Sequence, residues 1–221
     1  MSFFIDTNIP IGYTVPHDKW HVFAKSFLED HAHDSIFWSN LVKQEYTKTL
    51  NNIIDEVNIF LNYCKYILKT NECDFNNNSD FENFIIKKTK NCSLDKIKKY
   101  KILEHFWNKY SFTECESNVL YSKFLDFSHD FQELYFKRDI QLNTIINLHD
   151  CGLNNYLKYL DYAKKLYNWG VHKPDCKIIT DAHDCGIKNK KLNFISTDEK
   201  LLTILLKHDT TFLNIEFKSY N

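Results

Sequence analysis

The sequence predicts an α/β protein with a mostly parallel central sheet. Three observations carry this. Short apolar runs at Phe3-Phe4-Ile5, Ser35-Ile36-Phe37-Trp38 and Leu192 to Ser196 have the length and composition of buried strands, and Phe212 to Phe217 is expected to add another. Longer segments with helical apolar spacing separate them. Gly (4) and Pro (3) are scarce in 221 residues, which disfavours an all-β sandwich.

In chain order, the first strand ends in the polar loop Asp6-Thr7-Asn8, and a helix is expected from His17 to Glu29. After the second strand, Ser39 or Asn40 caps a helix from Leu41 to Leu61 or beyond. The Asn-rich stretch Asn71 to Asp80 is expected to be an exposed loop. From Phe81 to Asp150 the pattern is helical without a strand. Leu94, Ile97, Tyr100, Leu103, Trp107 and Tyr110 form an apolar stripe that leaves the lysines on the other side. A helix over Leu153 to Tyr167 ends at Trp169-Gly170, and Pro174 opens another that ends near Gly186. Residues of about 1–64 and 151–221 are therefore expected to form one domain, with about 65–150 as a helical insertion or cap.

The seven cysteines include no CxxC pair. No leader with an apolar core opens the sequence, and no apolar run reaches the roughly 18–20 residues of a membrane span. A cytoplasmic protein with reduced thiols and no membrane partner is expected. The net charge of −1 excludes a basic footprint over the whole molecule. Charge is nevertheless uneven: Lys87, Lys88, Lys90, Lys96, Lys98, Lys99 and Lys101 face only Asp95 within residues 87–101, a local +6 that leaves −7 elsewhere. These lysines are candidate phosphate contacts, against the alternative of a solvated helix face. No Gly-rich phosphate loop and no nucleophile elbow are present, which argues against nucleoside triphosphate hydrolysis and Ser/His/Asp catalysis.

In a parallel sheet, ligands bind beyond the carboxyl ends of the strands. Asp6 directly follows one predicted strand, and Asp198 follows another after Thr197. Glu45 lies on the helix after the second strand, three residues beyond Val42, and so shares an apolar face. Asp175 falls in the first turn of the Pro174 helix on the face of Ile178, Ile179 and Ala182, where the helix dipole favours an anion. Four inward carboxylates in one crevice stay ionised only with a cation among them. Oxygen-only ligands suit Mg²⁺ or Mn²⁺, which acidifies bound water and clamps a phosphodiester.

Together, FIDTN at 4–8, the helical Glu45, P-D-x-x-I at 174–178 with Ala182, and FISTD at 194–198 resemble the PIN-domain nucleases, over roughly half of the chain. The resemblance implies a three-layer α/β/α fold and a Mg²⁺- or Mn²⁺-dependent endoribonuclease, with Asp6, Glu45, Asp175 and Asp198 as metal-binding acids. It also implies that Thr7 or Asn8 orients the first aspartate; Thr197 is a further candidate for orienting the site. The long middle sets the chain apart from compact members of that family. A catalytically silent or partner-dependent binding module is the alternative, and an inhibitor protein or a second copy of the chain are possible partners. A phosphotransfer domain with Asp6 as nucleophile would want an acid where Asn8 stands.

Three weaker constellations remain. On the Asp175 helix, Asp181 lies about 120° around and is a candidate auxiliary ligand, whereas Asp184, about 180° away, is expected to be solvated. His-Asp-Cys-Gly occurs at 149–152 and at 183–186. Because His-x-Cys is not an established zinc spacing, the pair is taken as two helix ends closed by Gly rather than a zinc site of His149, Cys151, His183 and Cys185. His17 with His21, and His31 with His33, are expected to be surface histidines.

Overall fold

The computed structural model describes residues 1–112, 115–152, 155–208 and 214–218. The chain divides into two compact units, Met1–Thr49 with Arg138–Asn221, and Leu50–Lys137. These boundaries fall inside helices, at 49/50 and 137/138 instead of the expected 64/65 and 150/151.

The first unit is an α/β arrangement around a five-stranded sheet. Its strands are β1 (Ser2–Ile5), β2 (Ser35–Ser39), β5 (Asn147–His149), β6 (Leu192–Ile195) and β7 (Ile215–Lys218), in the spatial order β5-β2-β1-β6-β7. All four neighbouring pairs are parallel, so every strand ends at the same edge. β1 is central because both of its faces are apolar: Phe3, Phe4 and Ile5 are at most 1% exposed. Burying each such side chain stabilises the fold by about 1.5–3 kcal/mol. Asn193, polar within the buried β6, donates its Nδ2 to the Ser2 carbonyl at 3.2 Å. β7 alternates, with Ile215 and Phe217 inward and Glu216 outward against Lys191.

Helices α1 (Asn8–Thr14) and α2 (His21–Asp30) connect β1 to β2. The turn at Asp18, whose Oδ1 accepts from the Trp20 amide at 2.8 Å, delays α2 to His21. His17 is buried, and His21 Nδ1 lies 2.8 Å from the Gly12 carbonyl, so neither is a free surface histidine. Helix α3 (Asn40–Thr70) follows β2 at once, with Ser39 Oγ accepting from the Val42 amide.

The expected helix after Gly152 is two, α7 (Asn155–Lys158) and α8 (Leu160–Asn168); Leu153 lies outside the described residues. Helix α9 (Lys173–Asn189) does not stop at Gly186, which lies inside it. α10 (Glu199–Lys207) precedes β7, and Phe212 also lies outside the described residues. The strand β5 falls where only helix was expected. Its sequence Asn-Leu-His has no apolar run, and Leu148 points outward at 48% exposed.

In the second unit, a two-stranded antiparallel ribbon joins β3 (Asp74–Phe75) to β4 (Cys115–Glu116). It accompanies α4 (Asn78–Lys88), α5 (Lys96–Tyr110) and parts of α3 and α6 (Ser117–Ile145). The Asn-rich stretch is therefore not all loop: Asn77 caps α4 by accepting from the Asp80 amide. Phe81, Phe106, Trp107, Phe124 and Phe127 form an aromatic core, with Phe106 and Phe124 centroids 4.5 Å apart. The apolar stripe of α5 is Ile102, Leu103, Phe106 and Trp107 together with Lys99, whereas Ile97 is 68% exposed. Asp95 caps this helix, accepting from the Ile97 and Lys98 amides, so Leu94 lies before it. Among the described residues no helix is long and apolar enough to cross a membrane.

Candidate metal centre

The parallel sheet brings the ends of β1 and β6 together. The Asp6 amide donates to the Ile195 carbonyl at 3.0 Å, which sets Asp6 beside Ser196. The Asp6 carboxylate is buried and accepts from three groups: the Thr7 amide (2.6 Å), Ser196 Oγ (2.8 Å) and, at the longer distance of 3.4 Å, Asn8 Nδ2. Thr7 Oγ1 donates to Glu45 Oε2 at 3.1 Å, tying the first loop to α3. Asp175 is half-buried in the first turn of α9. Asp198 is exposed and caps α10, its Oδ1 accepting from the Lys200 and Leu201 amides.

Electrostatics tie the four acids together. Burial pushes the Asp6 carboxyl up to about 6, partly offset by the Ser196 and Thr7 hydrogen bonds and reinforced by Asp175 and Glu45. Burial also raises Asp175, with Asp198 and Glu45 adding to the effect and His172 opposing it. An all-oxygen set in which neighbouring carboxylates raise the proton affinity of Asp6 and Asp175 fits a hard divalent cation. The acids are spaced openly, however. Among the described residues, the groups of three or more possible ligands lying within 4.8 Å of one another are His149, Cys151, Asp184 and His129, Asp130, Glu133.

Ser196 is the positioning residue that the sequence reading missed. Its hydroxyl donates to Asp6 and accepts from the Asp198 amide at 3.1 Å, linking the first and last acids. The expected orienting residue, Thr197, does not do this: its Oγ1 is buried and has no hydrogen-bond partner among the described residues. The signal was a serine two residues before an aspartate, a spacing that lets the hydroxyl meet the later amide. A cavity of about 710 Å³ opens at Asp198 and is lined also by Asn8, Lys19, Trp20 and Lys200. Lys19 Nζ lies 4.9 Å from the centroid of the Trp20 ring.

Two other acids of α9 lie elsewhere. Asp181 is buried and is held by Asn155 Nδ2 (3.2 Å), Ser39 and Cys151, beside the end of β2 and not among the four acids. Asp184 is not solvated but 3% exposed. Burial would raise its carboxyl, yet hydrogen bonds from Tyr159, Lys188, His149 and Lys158 outweigh that and hold it well below the usual range. His183 packs against the Tyr159 and Tyr162 rings, so the expected alternative set of His149, Cys151, His183 and Cys185 does not come together.

Lys99 leaves the set of candidate phosphate contacts. It is buried, and its Nζ donates to the Thr89 and Cys92 carbonyls, each at 2.9 Å. Lys87, Lys88, Lys90 and Lys96 are exposed, and Lys98 and Lys101 are half-buried. Lys99→Ala should destabilise the fold by about 2–3 kcal/mol by stranding two carbonyls, whereas Lys87→Ala should change it by less than about 0.5 kcal/mol. Urea melts of the two variants check this, and equal midpoints would refute it.

Compared with known proteins, no protein family, curated protein or solved structure matches the chain.

Proposed function

We propose that the first unit is a PIN-like α/β/α nuclease domain that binds Mg²⁺ or Mn²⁺ and hydrolyses RNA, with residues of the second unit as its helical insertion. The observation that carries this is the placement of Asp6 at the carboxyl edge of a parallel sheet, held by Ser196 and the Thr7 amide, where the charges of Glu45 and Asp175 act on it and those of Asp198 and Glu45 act on Asp175. The resemblance of FIDTN, Glu45, PDxxI and FISTD to PIN-domain nucleases supplies RNA as the substrate.

Bound there, the ion would supply an acidified water and neutralise phosphate charge. The chain's own residues do the rest. Ser196 and the Thr7 amide fix the Asp6 oxygens, and Thr7 Oγ1 fixes Glu45. Lys19 and Lys200 offer ammonium groups to a phosphodiester in the adjoining cavity, and Trp20 offers a ring to an unpaired base. The exposed lysines of 87–101 form a second anion-binding surface on their own unit.

The test is cleavage of single-stranded RNA by the purified chain with Mn²⁺. Asp6→Asn and Asp198→Asn should each lower the rate on the order of 100-fold or more. Undiminished cleavage by both variants would remove the proposal. Failure of the wild-type chain to bind Mn²⁺ would favour a partner-dependent binding module.

A further inference from the structure

A second cluster lies at the same sheet edge, built from the end of β5 and the inner face of α9. His149 Nε2 is 3.1 Å from Asp184 Oδ2, and one possible ligand atom from each of His149, Cys151 and Asp184 lies within 4.8 Å of the others. Asp181, three residues before Asp184 on α9, shares a hydrogen bond with the Cys151 thiol. His149, Asp181 and Asp184 are buried. Cys151 is half-buried, and with Asp181 it lines a cavity of about 200 Å³ that gives access.

We propose that His149, Cys151 and Asp184, with Asp181 as fourth donor, form a binding site for a divalent cation of the zinc class, distinct from the four-acid centre. An imidazole nitrogen, a sulfur and carboxylate oxygens are a donor mix that suits zinc and that Mg²⁺ disfavours. The cluster already binds cationic groups. Lys188 Nζ sits 2.9 Å from Asp184 Oδ2, on the oxygen that faces His149. Lys188 is 55% exposed, so a metal ion displaces its ammonium into water at little cost. Tyr159 and Lys158 remain on the other oxygen, Oδ1, and keep the carboxylate oriented. As the sulfur–metal bond forms, the Cys151 thiol proton passes to water, and His149 binds through a ring-nitrogen lone pair. This site does not depend on the nuclease reading, since no ligand is shared.

The experiment is titration of the full chain with Co²⁺, a coloured stand-in for zinc. One equivalent should produce a thiolate-to-cobalt charge-transfer band in the near ultraviolet, and added Zn²⁺ should abolish it. Cys151→Ser should remove the band and weaken binding at least about tenfold. The Asp6→Asn/Asp198→Asn double variant should keep it. Absence of the band in the wild type, its survival in Cys151→Ser, or its loss in the double variant would each overturn the site. Should Cys151→Ser fail to fold by circular dichroism, His149→Gln takes its place: unchanged affinity overturns the proposal, and a loss of about tenfold or more supports it.

Discussion

Without metal at pH 8, Asp6→Asn should be more stable than the wild type by about 1–2 kcal/mol. Asp6 has a folded pKa of about 6 against an ordinary value of 3.8. A group raised in this way contributes stability that is fully present below 3.8 and lost as pH climbs through 6. A rise of that size corresponds to about 3 kcal/mol, and the variant forfeits part of it because one amide oxygen replaces two carboxylate oxygens. The advantage should therefore shrink as pH falls from 8 to 4. Mn²⁺ should reverse the order by stabilising only the wild type. Thermal melts at the two pH values, with chelator and with Mn²⁺, read all of this. A variant less stable than the wild type across the whole range would show that the Asp6 carboxylate is well accommodated alone.

Gly186→Ala should destabilise the fold by about 2–4 kcal/mol, although alanine is the better helix former by about 1 kcal/mol. A Cβ at position 186 would stand 2.6 Å from the Asn214 carbonyl oxygen. That oxygen accepts from the Leu192 amide at 3.0 Å where β6 and β7 begin to pair. Relieving the clash moves the backbone that starts the edge strand. Gly152→Ala is the comparison: its φ is +71°, but no atom lies within 4 Å, so only the backbone strain of about 1–2 kcal/mol applies. Urea denaturation of both variants separates the cases. A neutral or stabilising Gly186→Ala would mean that Asn214 yields freely.

The strands were legible where both faces are apolar, as in Phe3-Phe4-Ile5 and Phe194-Ile195, because burial on two sides leaves no polar alternation to confuse. Asn147–His149 was not legible, since a three-residue edge strand is fixed by pairing with Phe37–Ser39 and carries little pattern of its own. Glu45 is half-buried on α3 between the buried Val42 and Tyr46, on the side of the helix that the angle to Val42 had pointed to. The same reasoning failed for Asp184. A helical wheel assumes one wet face, but Cys176, Ile179, Asp181, Asp184 and Cys185 are buried on nearly every side of α9. Lys99 escaped for a related reason. It lies at i, i+3, i+4 and i+7 spacing with Ile102, Leu103 and Phe106, but a lysine counts as polar in an apolar pattern and so does not show itself as part of the buried face.

The strand order has a consequence for synthesis. β1 leaves the ribosome first, yet one of its two neighbours in the sheet is β6, and the Ser196 hydroxyl that steadies Asp6 comes 190 positions later. At ordinary translation speeds that interval is roughly 10–40 s. Between the synthesis of Glu45 and that of Asp175, most of that interval, the nascent chain holds Asp6 and Glu45 without Asp175, Ser196 or Asp198. The carboxylate centre thus carries its own delay: its last acids and the serine that steadies Asp6 are among the later residues to be made.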